Sequence, residues 1–329
     1  MSSGVKLATM PLITALARVP SLKFFNCLSK YSGCWPANFG FNSQTESSNA
    51  FQNKSSDEPG LLQQKAFAEF DNFVKTLKDK GVTVFVFEDT KLPQKPDAVF
   101  PNNWVSFHAD GTVLLYPMHA PNRQFERRKD ILDAMQKSFY IKTVLDLSHH
   151  EKENRFLEGT GSIIFDHNHK MAYACISPRS DRQLFLQVCN SLQYQAIPFY
   201  SHDENGMEIY HSNVMMCIGE KFAAICLDSI TYKKERALVS DSLTKTGHQI
   251  IDISFEQMKN FAGNMLEIKT ANNKNILALS QSAFNSLHPE QLNTIRQYCE
   301  PVPLSIKTIE TIGGGSARCM IAEIFLPAL

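Results

Sequence analysis

Five polar residues, Asn103, Glu158, His211, Asn264 and Cys319, stand 55, 53, 53 and 55 residues apart. Each lies where a polar stretch gives way to a short β-rich run. A period of this length means that one supersecondary unit is built several times and stacks against its own copies. It excludes a conventional division into two unrelated domains.

The unit itself is readable. Phe67, Phe70, Phe73, Val74 and Leu77 recur at helical spacing, and Val82–Phe87 is an uninterrupted run of β-formers. Ala98–Phe100, the turn residues Asp110-Gly111 and Val113–Tyr116 predict a hairpin, with a helix expected from about Arg123 to Gln136. The same order of strand, turn, strand and helix returns around Asp166–His169, Gly219–Lys221 and Ala271–Lys274. A fifth copy begins at Arg318–Phe325, and its missing strand and helix are expected from the segment starting near Trp35. Short loops and ββαβ order predict a five-fold pseudosymmetric α/β propeller closed into a ring. Equivalent positions in such a ring converge on its axis, so Glu158, His211 and Cys319 should meet in one cavity.

Composition narrows the function. Lysine plus arginine and aspartate plus glutamate each number 33, so no global field selects nucleic acid or a membrane surface. No apolar run reaches the roughly 18 residues of a membrane span. A small-molecule partner fits best, and a homo-oligomer is compatible with it. The eight cysteines form no CxxC pair, which suits free thiols in a reducing, cytoplasmic setting. No zinc site is expected, because His167-x-His169 reads as a hairpin turn. No cofactor is expected either, since the glycines before Cys319 open no phosphate-binding helix. Residues 1–33 are basic, rich in serine and free of acidic residues, a pattern of mitochondrial presequences. They are set apart as an extension, leaving residues 34–329 as one catalytic domain.

The three converging side chains have a defined chemistry. A cysteine attacks carbon as a thiolate, which a neighbouring imidazole or cation promotes. His211 can shuttle the proton and protonate a leaving nitrogen, while Glu158 orients the imidazole. Gly313–Gly315 lets backbone approach a ligand closely, and Arg318 adds positive charge beside the thiol.

The motifs Phe100-Pro101-Asn102-Asn103-Trp104, Glu158-Gly159-Thr160-Gly161, His211-Ser212-Asn213, Ser177-Pro178-Arg179 and Gly314-Gly315-Ser316-Ala317-Arg318-Cys319 resemble those of the pentein superfamily. Its guanidino-group-modifying members are arginine deiminases, dimethylarginine dimethylaminohydrolases and amidinotransferases. The stretch Trp35–Asn42 and Asn122-Arg123-x-x-Glu126-Arg127-Arg128 look most like the citrulline-utilisation hydrolase branch. The resemblance implies that Cys319, His211 and Glu158 are catalytic, and that Asn103, Asn213, Arg179 and Arg123 bind substrate.

Arginine-acting members carry aspartate at the positions of Asn103 and Asn213. An amide can donate to a ureido oxygen, whereas an ionised carboxylate cannot. The departure therefore favours citrulline or a related ureido amino acid, hydrolysed to ornithine, ammonia and carbon dioxide through a covalent cysteine intermediate. The rivals are hydrolysis of arginine or methylarginine, amidino transfer, and a non-catalytic ring that binds a macromolecule.

Overall fold

A computed structural model describes the backbone of Leu22–Cys27 and all of residues 39–329. Its strands run in chain order. β1 (Leu22–Cys27), β2 (Val84–Glu88), β3 (Val105–Phe107), β4 (Thr112–Leu115) and β5 (Thr143–Asp146) come first. Three triplets follow: β6 (Ile164–Asp166), β7 (Met171–Cys175) and β8 (Gln195–Phe199), then β9 (Met216–Ile218), β10 (Phe222–Ile225) and β11 (Gln249–Asp252), then β12 (Leu266–Lys269), β13 (Asn275–Ser280) and β14 (Glu300–Leu304). β15 (Ala322–Ile324) is last.

Each triplet is a sheet of its own. Its first two strands form an antiparallel hairpin, and the third returns parallel to the second after a helical crossover. The crossovers are Arg182–Leu192, Lys233–Lys245, and the pair Gln281–Ser286 and Pro289–Arg296. The middle strand has a neighbour on each edge and is packed on both faces, so it must be apolar throughout. β7 reads Met-Ala-Tyr-Ala-Cys and β10 reads Phe-Ala-Ala-Ile, every residue buried. Helix starts are set by side chains: Asp181 accepts from the Leu184 amide, and Ser254 with Gln257 closes a capping box at Phe255–Lys259.

The remaining strands form one mixed sheet in the order β2-β1-β15-β3-β4-β5. It contains the β3–β4 hairpin with parallel β5, joined at its edge to a second three-stranded group, β15-β1-β2. The junction is the parallel pairing of Ile324 with Phe107. The fold is thus mixed α/β, and its sheets do not merge into one closed barrel.

Two expectations need correction. The group holding β15 takes its middle strand from Leu22–Cys27, upstream of Trp35, and its helix from Pro59–Asp79. Part of the 1–33 stretch is therefore sheet, because β15 would otherwise present an unpaired edge. The targeting reading of the rest of that stretch lies outside the described residues, as do Trp35–Asn38. The helix expected over Arg123–Gln136 is broken into Pro121–Gln124 and Lys129–Met135. Arg123 and Glu126 both turn into the interior, where the arginine Nε and Nη2 donate to the two carboxylate oxygens at 2.8 and 3.0 Å.

Candidate active site

The five repeat-marking residues occupy equivalent places. Asn103 ends a short turn before β3, Glu158 caps a one-turn helix before β6, and His211 caps another before β9. Asn264 lies two residues ahead of β12, and Cys319 sits in the turn before β15. All five side chains are buried. Equivalence in sequence has become equivalence in place: His211 meets Glu158, Asn264 meets Cys319, and Asn103, His211 and Cys319 line one cavity.

His211 Nε2 donates to Glu158 Oε2 at 2.7 Å, and Glu158 Oε1 accepts the His119 amide at 2.9 Å. With Nε2 committed to the carboxylate, Nδ1 is the nitrogen left for chemistry. It lies against Gly161, whose missing side chain makes room: a Cβ there would come within 2.8 Å of Nδ1 and 2.3 Å of Asn103 Nδ2. Burial pushes the His211 imidazolium down to about 4, against the pull of Glu158 and with help from Arg179 and Arg123. His211 is therefore neutral and basic at Nδ1 near pH 7. Burial alone would raise the Glu158 carboxyl, but Arg179, the His211 hydrogen bond and Arg123 outweigh it and hold the group below the usual carboxylate range.

Cys319 Sγ receives two side-chain amides, Asn264 Nδ2 at 3.2 Å and Asn213 Nδ2 at 3.3 Å. Both donors hold the sulfur in place. Asn264 is fixed in turn, donating to the Asn213 carbonyl at 2.8 Å and accepting the Arg318 amide at 3.0 Å. Asn213 Nδ2 thus serves the sulfur, while its Oδ1 is buried with no partner among the described residues. Arg318 does not stand beside the thiol as expected. Its guanidinium donates to the Ile321 carbonyl and to Glu323, and it lines a different cleft.

A small cavity beside these groups is lined by Asp97, Asn103, Arg123, Arg179, His211 and Cys319, with Tyr210 and the Gly313–Gly315 run behind them. Gly314 adopts φ +64°, and a Cβ there would strike the Asn49 amide at 2.5 Å, so only glycine fits the turn. Both candidate arginines are interior groups. Arg179 lies 3.6 Å from Glu158, donates to Ser48 Oγ at 2.6 Å and covers the Tyr210 ring at 4.7 Å. Arg123 is clamped by Glu126, donates to Asn103 Oδ1 at 3.0 Å, and holds its Nη1 at 3.8 Å from Glu158.

Asp97 escaped the sequence reading because it lies outside the repeat register. It is buried 3.7 Å from Arg123, with one oxygen held by Asn42 at 2.7 Å and the other without a partner among the described residues. Burial raises its carboxyl above the ordinary value despite Arg123. Asn264 did carry a signal, its place in the 54-residue register, but that register gave it no role.

A family described as N,N dimethylarginine dimethylhydrolase, eukaryotic, matches residues 35–326. The chain belongs to this family. It sits in the pentein superfamily of guanidino-modifying enzymes, among hydrolases of guanidino C–N bonds. Comparison with curated proteins found no match. Among solved structures, the cyanobacterial arginine dihydrolase ArgZ, from the ornithine-ammonia cycle, superposes with a TM-score of 0.70 at 16% identity. The match covers 94% of this chain and 41% of that one, so this chain spans about two-fifths of it. The N-terminal domain of ArgZ, a cysteine-to-serine mutant bound to substrate, is matched over 100% of its length and 94% of this chain, at TM-score 0.69 and 16% identity. A dimethylarginine dimethylaminohydrolase mutant in an adduct with S-methyl-L-thiocitrulline gives 0.61 at 14% identity, covering 92% of this chain and 99% of that one. These likenesses show the fold.

Proposed function

We propose that the protein hydrolyses the terminal C–N bond of a ureido amino acid of the citrulline type. Cys319 is the nucleophile, His211 the acid/base and Glu158 its orienting carboxylate, in a ring of five units. One observation carries the substrate. Arg123 can only donate, so Asn103 must turn its oxygen to it, and Asn103 Nδ2 is left buried in the cavity with no partner among the described residues. Asp97 Oδ1 is an unpartnered acceptor lining the same cavity. One donor and one acceptor complement a ureido group, which has a carbonyl and N–H groups. A guanidinium offers N–H groups alone and would face Asn103 Nδ2 donor to donor, which leaves a buried polar group unpaired at about 1–3 kcal/mol.

The steps follow from the geometry. The Cys319 thiolate bonds to the ureido carbon while the carbonyl oxygen takes up charge against Asn103 Nδ2. His211 Nδ1, having received the thiol proton, gives it to the departing nitrogen, and ammonia leaves. Water, deprotonated by Nδ1, displaces sulfur from the thiocarbamate, and the resulting carbamate loses carbon dioxide to give ornithine. Arg179 holds the amino-acid carboxylate. The five-fold ring is supported by the group β15-β1-β2, which supplies a fifth unit beside β3-β4-β5 and the three separate sheets.

Hydrolysis of arginine or methylarginine is the second reading, favoured by the matched family and by the carboxylate of Asp97 in the cavity. Ammonia and ornithine release should be assayed with citrulline, arginine and N,N-dimethylarginine. Turnover of citrulline supports the ureido assignment. Turnover of only a guanidino substrate sinks it and leaves Cys319 untouched. Cys319→Ser should abolish turnover with every substrate; wild-type rates would remove the nucleophile.

A further inference from the structure

At the far end of β6 from Glu158, the chain assembles a second group of functional side chains. Asp166 ends β6, His169 lies in the turn to β7, and His248 immediately precedes β11 of the neighbouring sheet. One ligand atom from each lies within 4.8 Å of the others. His169 Nδ1 is 2.8 Å from Asp166 Oδ2, and His248 Nε2 is 3.9 Å from that oxygen. The Gly219 carbonyl oxygen is a fourth potential ligand atom, 3.1 Å from His248 Nε2.

We propose that Asp166, His169 and His248, with the Gly219 carbonyl, form a divalent transition-metal site of the zinc class that ties two adjacent sheets together. Two imidazoles and one carboxylate are a zinc-type donor set. Tetrahedral bonds of about 2.0–2.1 Å place ligand atoms roughly 3.3 Å apart, between the shortest and longest separations seen here. The supporting contacts also fit. Thr246 Oγ1 lies 2.8 Å from His248 Nδ1 and 3.0 Å from the carbonyls of Ser242 and Leu243, to which it can donate. It then accepts the Nδ1 proton and leaves Nε2 bare, as ligating histidines require. A bare Nε2 facing the Gly219 carbonyl sets two lone pairs against each other, and a cation between them relieves that contact. Exposed His169 opens a path for the ion. The site was invisible in sequence because His248 lies far from the turn, and His167, the more obvious partner of His169, instead contacts the Tyr194 hydroxyl at 2.7 Å.

The active-site thiol could also take up zinc, so the test uses chelator-stripped Cys319→Ala protein. Calorimetric titration with Zn²⁺ should show one ion per chain, and Co²⁺ should give visible absorption bands of a low-symmetry nitrogen–oxygen site. Adding His169→Gln or His248→Gln should weaken binding by about tenfold or more. Zinc should raise the Tm of the Cys319→Ala protein and leave that of the His169→Gln double variant unmoved. His169 is exposed, so that variant should melt at the parent temperature without metal. Absence of zinc binding in Cys319→Ala protein, or undiminished binding in the His169→Gln double variant, would overturn the proposal.

Discussion

Gly161→Ala tests the site through a single methyl group. The backbone at 161 needs no left-handed conformation, so alanine is locally tolerated and only its contacts matter. The new Cβ would lie 2.3 Å from Asn103 Nδ2, 2.8 Å from His211 Nδ1 and 2.9 Å from His211 Cε1. Ordinary contact begins near 3.4 Å, so Asn103 must retreat by about 1 Å and the imidazole by about 0.6 Å. Neither moves freely. The imidazole is pinned by its 2.7 Å bond to Glu158, and Asn103 by its 3.0 Å bond from Arg123. Overpacking of this kind costs about 1–3 kcal/mol of stability. A displacement approaching 1 Å at reacting groups costs on the order of 10²-fold in rate. The assay is kcat/KM for the preferred substrate, measured well below a Tm determined in parallel. Gly60→Ala, where a Cβ meets nothing within 4 Å, is the control and should match the parent enzyme. Gly161→Ala enzyme within twofold of wild-type kcat/KM would refute the claim that His211 Nδ1 and Asn103 Nδ2 face the reacting carbon.

Three further perturbations separate the roles. Glu158→Gln removes a buried carboxylate that faces Arg123, Arg179 and His211, so it should cost about 3–5 kcal/mol of stability and most of the activity; an unchanged urea midpoint would contradict the buried charge cluster. Asn103→Asp places an acceptor where the donor stands, and should lower citrulline turnover at least about tenfold relative to arginine; an unaltered substrate ratio would show that Asn103 does not read the substrate. The His211 imidazole titrates near 4 in the fold and near 6.5 when unfolded. Between these values the unfolded chain binds a proton that the folded chain refuses, so stability falls as pH is lowered from 6.5 to about 4, by about 1.4 kcal/mol per pH unit. His211→Gln should remove that share of the slope in urea melts at pH 6.5 and 4.5; an identical slope would mean the ring is charged in the fold.

Much of this was legible in sequence because the repeat is a pattern of covalent spacing. His211 and Cys319 could be placed at one cavity, with Glu158 against His211, since equal register in equal units implies a common location. The hairpins were readable for the same reason that their strands are short and apolar. Asp97 and Glu126 were not assigned roles, because their importance lies in burial beside Arg123, and nothing local distinguishes a buried carboxylate from a solvated one. Asn213 was assigned to the substrate, and in the fold its Nδ2 also reaches the Cys319 sulfur, a contact hidden from the sequence because residue identity does not say which way a side chain turns. The strand Leu22–Cys27 was missed because its partner, β15, lies at the other end of the chain, and long-range pairing leaves no local periodicity.

The placement of the working groups on separate sheets has a consequence for how activity fails. Glu158 comes from the β6 sheet, His211 and Asn213 from the β9 sheet, Asn264 from the β12 sheet, and Asn103 and Cys319 from the two halves of the six-stranded sheet. No single sheet holds both Cys319 and His211. If any one unit swings open, the others keep their strands and most of their core but lose the chemistry. Inactivation is therefore a report on the integrity of the whole assembly, and it should precede the loss of far-ultraviolet circular dichroism on heating rather than follow it.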